Sequence, residues 1–510
     1  MNEPIQKQEL VLDQLAADVA AQAVVEGDAA LPGSMRDAVT VLGVSAQAVI
    51  ERAQAQADQI SVSGQVSFHV LYTQGDLTRV QVLETGSDFS DVLAAAGVSA
   101  DMHATAGAEV LEASASASGG RLHLRAVLSL RAQAMQETRV DAVTDIAMEP
   151  QRLRTRRQEI TWVRTREAGR ERTLLREEFD LSGALGVGDT LFATAQAHTG
   201  EMTGGEGRAN VTGVIDLCVY HAGAPGTRPL IVTRHSMPFE VTVGINGEIA
   251  PDAQLDAQAT LRDVLADSMS AGDDGSRVLR AEVELEVQLL AHEKQTATLL
   301  QDAYTLYGDT LALERTRMSV NGMSERVCAK DSGKMILTLP EGKEPVGTVL
   351  AAFALPVVGA QEATGSQLRV DGVLDTTVIY LPPDSGIPVS AQLSQAFTAS
   401  FDAPVAPGAW TRLCCTELNA SGITSDRIEA RYVLEMCARG GGRQEIEPVT
   451  QVKTVEPGEE RGGICVYFPG GNETMWDVAR RYRVDEAALE RANAGRAAGA
   501  PVIVLRRRHI

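Results

Sequence analysis

An alternation of apolar and polar residues restricts the fold of this chain more than any other sequence feature. Its clearest example is a run of four apolar residues, each separated from the next by a polar one: Val283, Leu285, Val287 and Leu289 against Glu282, Glu284, Glu286 and Gln288. A period of two places alternate side chains on opposite faces of a β-strand, one buried and one in water. The pattern predicts a mainly β protein with antiparallel sheets. The segments 34–44 and 255–269 fit either short helices or further strands.

Three sequence markers recur in the same order, and they indicate a triplication. In each repeat a Val-x-Gly tripeptide is followed by a Tyr and then by a Phe. The three sets are Gly64, Tyr72 and Phe89; Gly213, Tyr220 and Phe239; and Gly372, Tyr380 and Phe397. The glycines lie 149 and 159 residues apart, so each repeat has the size of a domain. We expect antiparallel β-sandwich-like repeats at 1–150, 151–300 and 301–447, with equivalent glycines and with the Tyr and Phe in the core.

The sequence after the third repeat predicts a flexible linker at 448–463 and a small domain at 464–510. Thr474 and Asp477 have the spacing of a helix capping box, and Asp485 is suited to cap a second helix. One apolar helical face follows the first cap: Met475, Val478, Ala479 and Tyr482. Apolar runs at 464–467 and 502–505 predict two strands, which gives the order β–α–α–β.

The run from Tyr467 to Tyr482, YFPGGNETMWDVARRY, resembles the opening of LysM modules, which are small βααβ binding domains without catalytic machinery. Three residues depart from the usual LysM pattern: Pro469, Asn472 and Glu473. In glycan-binding LysM modules the strand–helix loops form the sugar groove, and both loops are altered here. These changes disfavour peptidoglycan as the ligand.

Three β-rich repeats followed by such a module resemble the SipL-like family of SPOCS-repeat plus LysM spore-coat morphogenetic proteins from spore-forming Clostridia. The resemblance covers nearly the whole chain. It implies a scaffold on the forespore surface, facing the mother-cell cytosol. It also implies that the LysM domain binds a coat ATPase of the stage IV sporulation protein A type, while the repeats bring in other coat proteins.

Four residues of the LysM-like segment are candidate partner contacts. Trp476 lies at the edge of the apolar helical face, so it fits either a partly buried core position or an exposed aromatic anchor. We predict a patch centred on Trp476 and Ile464, bordered by Tyr467 and Met475.

Composition limits the partners and the location that we expect. The net charge of −22, from 46 basic and 68 acidic residues, disfavours nucleic acid and anionic membranes as partners. No apolar run is long enough to span a membrane. The first 25 residues have early acidic positions and lack the apolar core of a signal peptide, which predicts a cytosolic protein.

The sequence offers no catalytic, cofactor or metal-binding signature, and we expect no enzyme. A phosphate-binding loop and a nucleophile elbow are absent, and His292-Glu293 lacks the second histidine of a zincin motif, because Thr296 occupies that position. The six cysteines form no Cys-x-x-Cys motif, which predicts small buried thiols and no disulfide framework.

Two further questions stay open at this level. The stretch 152–176 has nine Arg against three Glu, and it suits either a solvated connector or a basic surface that docks an acidic partner or the chain's own acidic domains. The alternative to a coat scaffold is a peptidoglycan-binding structural protein of the cortex or cell envelope.

Overall fold

The chain is mainly β, as the alternation predicts. The structure, a computed structural model, describes residues 5–31, 39–74, 78–184, 186–205, 207–270, 277–322, 326–405, 409–439, 443–456, 463–496 and 500–506. Within these ranges there are 24 strands and two helices. Neither described helix is long and apolar enough to cross a membrane.

Eighteen of the strands form three units with the same topology. The first unit contains β1 (Ile5–Ala30), β2 (Val39–Gln56), β3 (Gln59–Gln74), β4 (Val80–Ala94), β5 (His103–Ser118) and β6 (Arg121–Ile146). The second contains β7 (Leu153–Asp180), β8 (Val187–Gly205), β9 (Arg208–Gly223), β10 (Leu230–Gly244), β11 (Gln254–Ser270) and β12 (Arg277–Thr305). The third contains β15 (Arg326–Thr338), β16 (Thr348–Thr364), β17 (Gln367–Leu381), β18 (Val389–Asp402), β19 (Trp410–Thr424) and β20 (Arg427–Arg439).

Each unit consists of two three-stranded antiparallel sheets. The first, sixth and fifth strands of the unit form one sheet, and the second, third and fourth strands form the other. Buried residues from both sheets meet in a common core, for example Phe68 of β3 and Leu128 of β6 in the first unit. The segment 255–269, which fitted a helix or a strand, lies within β11; residues 39–44 lie in β2, and residues 34–38 are outside the described ranges.

The repeat glycines occupy equivalent positions in the three units. Each lies on the third strand directly opposite the repeat Phe on the fourth: Gly64 opposite Phe89, Gly213 opposite Phe239, and Gly372 opposite Phe397. A Cβ atom at any of them would collide with a carbonyl oxygen of the second strand and press on the Phe ring. The predicted equivalence of the glycines is confirmed. The repeat Tyr and Phe side chains are all buried, as expected.

A central core joins the three units. We define it by Leu42, Leu71 and Val80 of the first unit, Phe192, Tyr220 and Leu230 of the second, and Ala351 and Ile379 of the third. Phe192 stacks on Tyr220 with 4.4 Å between ring centroids, and the Tyr220 ring lies 5.7 Å from that of Phe353. The central core is therefore built from the second and third strands of all three units and the fourth strands of the first two.

The paired first and last strands extend well beyond the sheets in the first two units. In the third unit the corresponding pair continues as separate short strands: β13 (Thr310–Arg315) with β22 (Val449–Val455), and β14 (Met318–Asn321) with β21 (Arg443–Ile446). Apolar residues of these extensions pack together, among them Leu10 of β1, Trp162 of β7 and Ile446 of β21.

The expected flexible linker at 448–463 is wrong for residues 449–455, which belong to these extensions. Residues 449–455 form β22, and Val449 is fully buried, because the pairing with β13 continues the sheet of the third unit. Residues 457–462 lie outside the described ranges. Strand β12 also runs to Thr305, past the expected repeat boundary at 300.

The arginine-rich stretch 152–176 lies in β7 from Leu153 onward and is neither a connector nor a free basic surface. It pairs with the acidic strand β12 along its length. Arg170, Arg172 and Arg262 surround the buried Glu286, with nitrogen–oxygen distances of 3.3, 2.9 and 2.7 Å. Burial raises the pKa of Glu286, but the hydrogen bonds and charges of these arginines lower it by a larger amount. The pKa is therefore below its usual value. The partners of the basic stretch are thus acidic residues of the chain itself, on β12 and also on the first unit and the C-terminal segment.

The cysteines differ from the sequence expectation. Cys328 of β15 and Cys437 of β20 face each other across neighbouring strands with Cα atoms 4.2 Å apart, and they form a disulfide. They are 109 residues apart in sequence, so their contact depends on strand pairing that the sequence does not display. The other four cysteines are free.

We predict that Gly213→Ala lowers the free energy of unfolding by about 1–3 kcal/mol, because the added Cβ overpacks the space between a backbone oxygen and Phe239. Gly64→Ala and Gly372→Ala should cost similar amounts. Gly205→Ala is the control, since a Cβ there would have no neighbour within 4 Å. Urea denaturation measures the difference, and equal stability of the Gly213 and Gly205 variants would contradict the prediction.

We predict that Glu286→Gln lowers the free energy of unfolding by about 1–3 kcal/mol at pH 7, because it removes charged hydrogen bonds from the arginines. A carboxyl whose pKa is lowered on folding stabilises the protein above its unfolded pKa and loses that contribution as pH falls. The difference in free energy of unfolding between wild type and Glu286→Gln, measured by urea titration, should therefore become smaller below about pH 4. Glu284 forms a more exposed ion pair with Arg172. Glu284→Gln should therefore lower the free energy of unfolding by less than about 1 kcal/mol.

Candidate docking face of the C-terminal module

Residues 463–506, here the C-terminal module, have the predicted β–α–α–β order. The elements are β23 (Gly463–Tyr467), α1 (Met475–Tyr482), α2 (Glu486–Ala492) and β24 (Val502–Arg506), and the two strands pair antiparallel. The capping box is formed: the Thr474 hydroxyl accepts the Asp477 amide, and the Asp477 carboxylate accepts the Thr474 amide. The Asp485 side chain accepts the Ala488 amide at the start of α2. The two short helices thus begin where their caps predict.

The inner face of the module is docked on the end of β12. Trp476 is only 5% exposed and packs edge-on against Tyr304, with 5.0 Å between ring centroids. The Trp476 indole Nε1 donates to Asp302 Oδ2 at 2.8 Å, and Arg480 contacts the same oxygen at 2.7 Å. Trp476 is therefore a core residue of an internal interface, and the exposed-anchor interpretation does not hold in this structure.

Further polar contacts fix the module against the second unit. The Tyr304 hydroxyl donates to the Val484 carbonyl at 2.9 Å, and Arg483 Nε donates to the Thr305 carbonyl at 2.9 Å. Arg154 of β7 pairs with Asp485 at 2.6 Å. Burial raises the pKa of Asp485, yet Arg154 and the Ala488 amide lower it more, so the carboxyl stays ionised for this contact.

The outer face of the module is an exposed apolar surface. We define it by five side chains: Ile464 (78% exposed), Val466 (56%), Phe468 (71%), Ile503 (43%) and Leu505 (52%). Ile464 is paired with Leu505 across the strands, and Val466 with Ile503, so four of the five share one face of the two-stranded sheet. The intervening Val502 and Val504 are fully buried on the other face. A contiguous exposed apolar surface of this kind is typical of an interaction site.

The structure separates the four predicted contact residues into three groups. Ile464 lies on the outer face, where it is among the most exposed apolar side chains described. Trp476 lies in the buried interface with β12. Tyr467 and Met475 are half-buried and pack on the core of the module. The Tyr467 hydroxyl donates to Glu473 at 2.6 Å, and the Arg481 guanidinium lies over its ring at 5.0 Å.

Comparison with known proteins identifies one part of the chain. Residues 37–118 match the family model described as SipL, SPOCS domain. No curated protein and no solved structure matches the chain. The matched segment covers β2 to β5 of the first unit, which includes Gly64 and Phe89. A SPOCS domain of the SipL type is therefore present.

Sequence reasoning missed most of the outer face. The sequence assigns Val466, Ile503 and Leu505 only to strands, because both faces of these strands are apolar and periodicity cannot distinguish them. It gives Phe468 no role beyond its place in the LysM-like run. A signal was available: a two-stranded sheet on two helices buries only one face, so one apolar set has to be exposed. Asp302 and Tyr304 carried no signal, since their contact with the module spans more than 170 residues.

We predict that Trp476→Ala releases the module from β12, because it removes a buried indole and a hydrogen bond to Asp302. The free energy of unfolding should fall by about 3–5 kcal/mol. Phe468→Ala, at an exposed aromatic of the same module, should change stability by less than about 0.5 kcal/mol. Limited proteolysis near residues 456–463 together with thermal unfolding provides the measurement. Equal protease resistance of both variants would show that Trp476 does not hold the module.

Proposed function

We propose that this protein is a non-enzymatic spore-coat scaffold whose C-terminal module, of the LysM type, docks a protein partner through its outer face. The observation that carries the proposal is the pairing of two exposed aliphatic rows on one small sheet, Ile464 with Leu505 and Val466 with Ile503. Such a surface is costly to leave in water and gains free energy when a complementary apolar surface covers it.

The partner that we propose is a coat ATPase of the stage IV sporulation protein A type, at the mother-cell side of the forespore. The SPOCS domain of the first unit and the LysM-like run after Tyr467 together support this choice. The chemistry of the outer face supports a protein partner over a glycan. Sugars are held by polar groups and stacked aromatic rings, whereas four of the five outer side chains are aliphatic, and the Trp476 ring is covered by Tyr304.

We further propose that the three units are three SPOCS-type domains that present surfaces to other coat proteins. Their common strand order and the equivalent glycines support a triplication. Because they share the central core, the units act as one body, which gains avidity when several surfaces are occupied together.

We predict that Ile464→Glu weakens capture of the coat ATPase by at least about 2 kcal/mol, or thirtyfold, because a charge is placed in an apolar contact. Ile336→Glu is the matched control: Ile336 is a 51% exposed isoleucine in a strand of the third unit, away from the outer face. Binding of purified wild-type and variant chains to the ATPase is measured by interferometry, with circular dichroism to confirm that both variants fold.

Two outcomes would oppose this proposal in different ways. Unchanged affinity of folded Ile464→Glu would remove the outer face from the interaction. Binding of wild type to insoluble peptidoglycan, lost in the same variant, would favour the alternative of a cortex or envelope protein.

We predict that a fluorescent fusion of residues 1–456 no longer encircles the forespore, whereas the full chain and its Ile336→Glu variant do. The truncation is placed after β22 because a shorter chain would lose the strand that pairs with β13. If the fusion of residues 1–456 still encircles the forespore, recruitment depends on the three units and not on the module.

A further inference from the structure

A cluster of metal-ligating side chains lies where the second and third units meet. Cys328 and Cys437 are adjacent to Glu435 on one face of the sheet formed by β15, β20 and β19, and one ligand atom of each lies within 4.8 Å of the others. Glu435 is 7% exposed, whereas Cys328 is exposed to solvent. The cluster belongs to neither the outer face nor the interface of the C-terminal module.

The buried carboxylate of Glu435 is held by contacts from both units. Its Oε2 lies 3.1 Å from Nδ1 of His198 in β8 and 3.9 Å from the Lys330 ammonium, yet it makes no hydrogen bond of ordinary geometry. A buried carboxylate oxygen that lacks an ordinary hydrogen bond and lies beside two cysteines is suited to a cation.

We propose that, when the disulfide is reduced, Cys328, Cys437 and Glu435 form a binding site for a thiophilic divalent cation such as Zn²⁺. A dithiol or phosphine reductant supplies two electrons, and with two protons the disulfide becomes two thiols. The cation then displaces both thiol protons, and the Glu435 carboxylate supplies the third ligand. Solvent reaches Cys328, so a water molecule completes the tetrahedron that Zn²⁺ prefers.

Metal binding requires the two sulfurs to move apart once their bond is reduced. Zinc–sulfur distances of about 2.3 Å place two sulfurs about 3.8 Å apart in a tetrahedron, and cysteines on directly paired residues of β15 and β20 can reach one cation by side-chain rotation. Two thiolates and one carboxylate carry three negative charges, which exceed those of the cation by one. Arg326, whose Nη2 lies 3.9 Å from Cys437 Sγ, offsets the remaining charge.

His198 is a positioning residue in this site. Its ring contacts Glu435 through Nδ1, and its Nε2 lies 3.5 Å from Asp216 of the second unit. Carboxylate ligands that are oriented by a further side chain bind metal more tightly, by about 10–100-fold. Since His198 lies on β8, metal binding would also link the second unit to the third.

The test is titration of the reduced full-length chain with Co²⁺, which reports thiolate ligands through a charge-transfer band. Thiol titration first verifies six free thiols in the reduced chain and four in the oxidised one. We expect one Co²⁺ per reduced chain, displaced by Zn²⁺, and no charge-transfer band in the oxidised chain. Cys328→Ser should remove the band, while Cys218→Ser, at a cysteine remote from the cluster, should keep it.

Two more variants test the oxygen ligand and its orientation. Glu435→Gln should weaken Co²⁺ binding at least tenfold. His198→Ala should weaken it about tenfold, and His198→Gln, which keeps an N–H group near the carboxylate, should restore part of the affinity. Unfolding midpoints of the metal-free variants serve as the folding control. A reduced chain with six free thiols that shows no charge-transfer band, or a band that survives Cys328→Ser, would overturn the proposal.

Discussion

The central core is the interaction on which the rest of the structure depends. A sandwich of two three-stranded sheets is small, and each unit leaves apolar side chains such as Leu71, Phe192 and Ile379 outside its own core. The three units bury these side chains against one another: His69 of the first unit stacks on Phe192 of the second, and Phe353 of the third unit lies beside Tyr220. Burial of a large apolar side chain contributes about 1.5–3 kcal/mol, so eight shared residues supply a substantial free energy for holding the units together.

The central core also determines where the long first and last strands of the units lie. With the units held together at this core, the paired first and last strands of the first two units extend away from the centre. They pack on the short strands that continue the third unit, through Leu10, Trp162 and Ile446. The end of β12 then offers Asp302 and Tyr304 to the C-terminal module. The module contacts described above are thus made with the β7–β12 pair of the second unit.

Several features could be predicted from the sequence because their causes are local. Alternation in β12, the repeated glycines and Phe residues, and the caps of α1 and α2 follow from periods and spacings of a few residues. Features that arise from distant pairing could not be predicted. Cys328 meets Cys437 only after β15 and β20 pair, and Arg172 meets Glu286 only after β7 and β12 pair. For the same reason Trp476 was compatible with either burial or exposure until Tyr304 was placed beside it.

A docked module recruits a partner differently from one that is free on a tether. On a flexible linker, the outer face would sample many orientations relative to the three units, and binding would have to restrict them at a cost in entropy. Here Asp302 holds Trp476 and Arg480, and Arg154 holds Asp485, so the outer face has a set direction relative to the units. Under the proposed function, a partner bound at Ile464 and Leu505 would be presented to the unit surfaces in one geometry. In a layered assembly of the kind proposed, a fixed orientation would matter as much as affinity, because each added protein would have to meet the next in a defined orientation.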